Sequence, residues 1–428
     1  MNCFARKSHR MIPKNLSALR SIPSPYLAVS FVSLLLTLPR QDKFMYTCPI
    51  DAEPLDRYKR GGYHPVRLGS SLCDGRYKII HKLGWGGYST VWAARDQRKE
   101  NYVALKICVS ETGCDSVVRE LNVLKELASR SAYSQHVMRL IDNFQLDGPN
   151  GTHCCLVFEL LGPSVPDMID MRFSDGRLPG ALAKTITKQA LLGLDFLHQQ
   201  KIAHGDLHTR NLAFVIDGME NVPEQEFVGT LGKPETGRVY RSDGKDLGPG
   251  IPQYIVRPAR RSSCRPSSFI KIVDFGESFL QQNTPQTLHT PLPVRAPEVI
   301  FGDRLDYRVD LWSLGCMIFE LFVGQPPFDS FLITPKLLVG QMGELTNEEL
   351  PERWQKLWEA MSGEVTTEGS KIRLQEWLEE MYFDGERNAD LTADDIVKLG
   401  HIIQKLLRFD PSARASAREI LNDPWFRD

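Results

Sequence analysis

Residues 204–211 read "HGDLHTRN". The run has the frame H-x-D-L-x-x-x-N, with Asp206 and Asn211 five apart. Gly205 and His208 fill two positions where this frame more often carries basic residues. Whether the run is an intact catalytic loop or a damaged one turns on what accompanies it along the chain.

Downstream, "DFG" (274–276) directly follows the strand-like "FIKIV", and "APE" occupies 296–298. Upstream, "LGWGGYSTV" sets Gly84 and Gly86 between two strand patterns, ahead of Val91. A glycine pair there lets backbone N–H groups approach phosphates without a Cβ in the way. Ser89 takes the place of the third glycine of G-x-G-x-x-G. No helix follows the glycines, so a Rossmann dinucleotide reading fails. "VALK" ends in Lys106, fifteen residues after Val91. A lysine there can clamp the α- and β-phosphates of ATP if a helix carboxylate holds it. Glu120 in "VVRELNVL" is the natural partner, and Glu126 the weaker one. In this setting Asp206 accepts or orients the proton of the attacking hydroxyl, and Asn211 and Asp274 are the ligands of Mg2+. Each string is common by chance, but their ordered conjunction is not.

On these motifs, residues 77–426 resemble the eukaryotic protein kinases. The resemblance implies an α+β, bilobal fold. A small β-rich N-lobe with one helix would span 77–162, and a larger, mainly helical C-lobe 163–426. In "DLWSLG", Asp310 is the residue expected to brace the catalytic-loop backbone. In "DPSARAS", Arg414 is the expected ion-pair partner of Glu298. Finer features are similar to the SR-protein kinases, fungal ones included: "LGWGGYSTVW", a long insert between the loop and "DFG", and Arg295 before "APE". The long 330–400 segment fits the wider CMGC group. The likeness implies transfer of phosphate from ATP, with Mg2+, to serine or threonine of Arg/Ser-rich proteins such as mRNA splicing factors. It implies a nucleotide pocket of Leu83, Gly84, Gly86, Val91, Ala104, Lys106, Glu159 and Leu161. It also implies a protein substrate as partner, no direct nucleic-acid or membrane contact, a monomer, and a cytoplasmic and nuclear location.

The departures then acquire meaning. Gly205 replaces the Arg that normally meets an activation-loop phosphate, and the segment from Asp274 to Glu298 is short, with Val294 before Arg295. Constitutive activity is the expectation. His208 replaces a Lys that would sit near the γ-phosphate, and an imidazole is charged only part of the time near neutral pH. Arg210, four residues after Asp206, is always charged and can stand in for that Lys. Tyrosine kinases carry an Arg at this spacing. The loop is also similar to the "HGDxHxxN" loops of aminoglycoside- and choline-type phosphotransferases. Those lack "APE", the Asp310 brace and the Glu298–Arg414 pair. A scaffold without activity is the remaining alternative, although every residue needed for ATP, Mg2+ and base function is in place.

The 428 residues, 42% hydrophobic and 25% charged, can hold two or three domains of ordinary globular composition. A formal net charge of −1 gives no bulk electrostatic case for nucleic-acid binding. Nine scattered cysteines without C-x-x-C argue against a disulfide framework or a zinc site. Residues 1–45 form a basic leader. Its first 41 residues hold no Asp or Glu, and "YLAVSFVSLLLTL" (26–38) is too short to span a bilayer comfortably. A mitochondrial presequence, a signal peptide and a disordered leader are the competing readings. Residues 46–76 read as an irregular arm. Residues 217–268 read as an insert mostly without fixed structure, carrying the basic "RPARRSSCRPSS" (257–268). From Phe301 onward 24 acidic residues face 14 basic ones, an excess that would steer basic peptides.

Overall fold

The computed structural model describes residues 45–110, 115–130, 133–219, 222–260, 266–328, 333–362, 373–385 and 387–427. The chain parts into two units, Met1–Met45 and Tyr46–Asp428. Apart from Met45 the first lies outside the described residues, as do the competing readings of it as a presequence, a signal peptide or a disordered leader.

The second unit opens with an arm carrying β1 (Tyr46–Thr47) and β2 (Ser71–Leu72). Then come β3 (Tyr77–Gly86), β4 (Ser89–Asp96), β5 (Asn101–Cys108), helix α1 (Asp115–Ser129), β6 (Leu140–Gly148) and β7 (Gly151–Glu159). These strands make an antiparallel six-stranded sheet in the order β2-β3-β4-β5-β7-β6. Runs of β-branched and apolar residues from Tyr77 to Leu161 read as five strands. The sixth is the two-residue β2, too short to show any alternation. One face of the sheet is apolar: Tyr77, Ile79, Trp92, Val103, Leu105, Ile107 and Val157 form a buried cluster. Side chains alternate along a strand, so Lys106, between Leu105 and Ile107, projects from the other face. In α1, Leu124 is buried as its spacing predicts, but Val123 is buried beside it and Ala128 is exposed.

After β7 the chain turns helical, with α2 (Val165–Arg172) and α3 (Gly180–Gln199). Ser164 caps α2 through a reciprocal box with Asp167. Ile186, Ala190, Leu194 and Leu197 of α3 are fully buried, as their spacing predicts. β8 (Ile202–Ala203) leads into the loop 204–211, and β9 (Leu212–Ile216) leaves it.

The insert is not structureless. Residues 222–260 contain α4 (Glu224–Leu231), β10 (Thr236–Arg238), β11 (Tyr240–Arg241) and β12 (Tyr254–Val256). These elements hold shape because they pack on the sheet and the arm. Phe227 of α4 stacks on Tyr102 with ring centroids 3.7 Å apart, and Lys78 bonds Glu224 at 2.9 Å. Val256 joins the apolar face of the sheet together with Val66 of the arm. β11 pairs with β1, and Val239 and Ile255 pack with Tyr58 and Tyr63. Of the basic stretch 257–268, residues 261–265 lie outside the described residues.

The arm is irregular in backbone yet well packed. Glu53 is buried against Lys82 of β3, both side chains at 0% exposure, and Tyr58 donates its hydroxyl to the same carboxylate. Burial pushes the Lys82 ammonium down, and the Glu53 carboxylate opposes that push.

β13 (Pro266–Ile272) pairs with β9, and β14 (Phe279–Leu280) with β8. α5 (Pro297–Ile300) precedes α6 (Val309–Val323), whose residues are buried all round except at Glu320, as its composition predicts. α7 (Pro335–Thr346), α8 (Glu352–Ser362), α9 (Leu374–Tyr382), α10 (Ala393–Leu406) and α11 (Ala417–Leu421) complete the larger lobe. Among the described residues, no helix is long and apolar enough to cross a membrane.

Candidate active site

Lys106 is the centre of the site. Its Nζ lies 2.7 Å from Glu120 of α1 and 3.0 Å from Asp274. Glu120, not Glu126, is its helix partner; Glu126 pairs with Arg130. Burial pushes the Lys106 ammonium down, but Asp274 and Glu120 together hold it well above its ordinary value. Lys106 in turn keeps the Asp274 carboxyl below the usual range, while burial raises that of Glu120. Asp274 sits at φ +63°, a left-handed conformation that a non-glycine residue adopts at a cost. Phe275 behind it is fully buried.

The loop 204–211 lies under this cluster, and its shape is imposed by Asp310 of α6. The buried Asp310 carboxylate accepts the backbone N–H groups of His204 and Gly205, each at 2.8 Å, and the ring of His198 at 2.9 Å. Asn211 donates to the Asp206 carbonyl at 2.8 Å and to its Oδ2 at 3.3 Å. Among the described residues Asp206 Oδ1 is buried with no hydrogen-bond partner. A buried carboxylate oxygen without a donor is costly, and a substrate hydroxyl would relieve that cost.

The residues also fit a nucleotide with Mg2+. A Cβ built on Gly84, Gly86 or Gly87 meets nothing within 4 Å, so the glycine turn borders open space. Leu83, Val91 and Ala104 pack in one apolar cluster. Leu160 packs against that cluster, and Leu161 beside it is buried. The Glu159 carboxylate is taken up by Lys271 at 2.7 Å and the Arg139 N–H at 3.0 Å. Asn211 and Asp274 supply oxygens of the kind Mg2+ takes alongside phosphate.

His208 is tied into the loop by both ring nitrogens. Its Nδ1 accepts the Arg210 N–H at 3.2 Å, and its Nε2 faces Asp206 at 3.7 Å. Arg210 itself is exposed beside it. Below them Thr209 donates to Glu320 at 2.9 Å.

Gly205 adopts φ +78°, and a Cβ there would lie 2.4 Å from the Glu277 carbonyl oxygen. Glu277 also anchors the following segment: its carboxylate meets the His289 ring at 3.1 Å and Arg119 of α1 at 3.9 Å. Thr290 is buried, donating to the Gly205 carbonyl at 2.7 Å, and Arg295 bonds the Thr290 carbonyl. Glu298 and Arg414 form the expected buried pair through two bonds of 2.6 Å.

A carboxylate-held lysine over a braced loop with a proton acceptor and two oxygen ligands defines a phosphotransferase site on a two-lobed fold. The family model of the protein kinase domain matches residues 77–222 and 262–426, and the chain belongs to that family. It is 29% identical to the serine/threonine-protein kinase SRPK of Physarum polycephalum, over 88% of this chain and 91% of that protein. It is 26% identical to the protein kinase dsk1 of Schizosaccharomyces pombe, over 88% and 85%. It is 37% identical to SRSF protein kinase 3 of Homo sapiens over 38% of this chain and 29% of that one. The segment between the two matched stretches is the packed insert described above.

Proposed function

We propose that this chain is a serine/threonine protein kinase that uses ATP and Mg2+ and acts on basic, Arg/Ser-rich proteins such as splicing factors. The observation that carries the proposal is Lys106 held at once by Glu120 and Asp274, above an Asp206 oxygen left buried and unpartnered. ATP with Mg2+ supplies the phosphoryl group and the cation that offsets its charge. Lys106 binds the phosphates, and Asn211 and Asp274 hold the metal. Asp206 Oδ1 accepts the proton of the substrate hydroxyl as that oxygen bonds to the γ-phosphorus and the bond from that phosphorus to the ADP oxygen breaks, releasing ADP. Arg210 supplies the fixed positive charge beside the reacting group. The relatives' names support the substrate class, as does the acidic excess after residue 301.

The test is an assay of the full chain with ATP-Mg2+ against an Arg/Ser peptide, a tyrosine peptide and small alcohols. Turnover of the first alone is expected. Nucleotide binding without turnover of any of them would make the chain a scaffold.

Two predictions refine this reading. Arg210→Ala lowers kcat about tenfold at pH 8, and His208→Ala less, because His208 spends its Nδ1 on the backbone. Equal, negligible losses would remove Arg210 from the mechanism. Second, the chain is active without phosphorylation of its own segment 274–298. Glu277 already ties that segment to α1, and Thr290 is buried and bonded. Mass spectrometry of fully active protein should find Thr284, Thr287 and Thr290 unmodified, and activity that vanishes with a phosphate at one of them would refute it.

A further inference from the structure

The turn between β3 and β4 is held from outside the matched kinase domain. Tyr63 of the arm donates its hydroxyl to the Gly86 carbonyl at 2.7 Å. Arg57 donates its guanidinium to the Gly87 carbonyl and lies over the Tyr63 ring, 5.5 Å from its centroid. The next carbonyl, that of Tyr88, accepts the Val109 N–H at 2.9 Å. Three successive carbonyls of the turn thus have fixed partners.

That arrangement has a consequence for the donors. The peptide unit is planar and trans, and no cis bond occurs among the described residues. In a trans unit the C=O of one residue and the N–H of the next point in opposite directions. Tying down the Gly86 and Gly87 carbonyls therefore turns the Gly87 and Tyr88 N–H groups away from the arm. Both residues lie in the two-residue turn beyond the last strand pair, Gly86 with Ser89. The arm covers the apolar face of the sheet, where Val66 packs among Leu105 and Ile107. Lys106 projects from the opposite face, where the phosphates would lie.

We infer that Tyr63 and Arg57 are positioning residues for the nucleotide: they preset the glycine turn so that its backbone N–H groups face the phosphates. The inference rests on the ATP-dependent reading above. Glycines alone leave the turn many conformations. Two side chains of the packed arm, with Tyr63 at 2% exposure and packed edge-on to Tyr58, select one of them. Preset donors strengthen binding because less freedom is lost when the ligand arrives.

The experiment compares ligands with and without phosphates. Titration calorimetry on the full chain measures ADP-Mg2+ and adenosine, for the wild type and for Tyr63→Phe combined with Arg57→Met. The double variant should weaken ADP-Mg2+ about tenfold and leave adenosine within about twofold. Adenosine binding then also shows that the variant is folded. If the double variant does not fold, Tyr63→Phe alone, which keeps the ring, decides the matter with an expected loss of about threefold. Equal weakening of both ligands, or of neither, would overturn the positioning role. A wild-type chain that binds adenosine but gains nothing from the phosphates of ADP would overturn it too. A wild type that binds neither ligand would overturn the kinase reading itself.

Discussion

Asp206→Asn should lower kcat by about 10²–10⁴ while leaving the affinity for ADP-Mg2+ nearly unchanged. The substitution keeps the size and shape of the side chain and removes its ability to accept a proton. The backbone of the loop does not depend on that carboxylate. Its path is fixed by Asp310, through the N–H groups of His204 and Gly205. The Asn211 bond to the Asp206 carbonyl also survives the change. Loss is therefore confined to the step in which the substrate hydroxyl gives up its proton. A variant with more than a tenth of wild-type kcat would show that Asp206 only orients the hydroxyl. A matching rise in the ADP dissociation constant would show that the loop had moved.

Gly205→Arg should destabilise the protein by about 2–5 kcal/mol and abolish activity, although it would install the Arg that the kinase resemblance leads one to expect there. The left-handed conformation at φ +78° costs a side-chain-bearing residue roughly 1–2 kcal/mol. The Cβ adds a collision at 2.4 Å with a backbone oxygen, that of Glu277, which cannot swing aside as a side chain could. Any shift would also break the bond from Thr290 to the Gly205 carbonyl. Gly205→Ala should show most of the same loss, since the collision belongs to the Cβ. Thermal unfolding checks both. An alanine variant as stable as the wild type would mean that the loop relaxes freely there. The glycine is thus built into the packing of two segments, and is more than the trace of a lost phosphate receptor.

Much of the site was legible because its members sit in short strings with their own spacing. Lys106 with Glu120, Asp310 with the loop, and Glu298 with Arg414 come together in space as the motifs imply. What escaped has partners far away in sequence. The insert reads as loop because its strands are two or three residues long, and its glycines and prolines mask the rest. Gly237 is there for contact: a Cβ would lie 2.6 Å from the Cys48 sulfur and 2.7 Å from Ile50. Phe227 and Leu231, four apart, were the one available sign of a packed helix. Lys82 reads as a solvated lysine until Glu53 is found beneath it. Tyr63 and Arg57 belong to no motif, and nothing in their own neighbourhood points to a turn more than twenty residues on.

The pairing of β1 with β11 also sets a timetable. Tyr46 and Thr47 leave the ribosome early, while their partners Tyr240 and Arg241 follow roughly 190 residues later. At about 5–20 residues per second, the arm waits on the order of ten to forty seconds for its cover. During that interval Tyr58, Tyr63 and Val66 have no insert to pack against, and the nascent small lobe exposes apolar surface that the finished protein hides. The stretch of chain that closes the small lobe is made only after the catalytic loop of the large one.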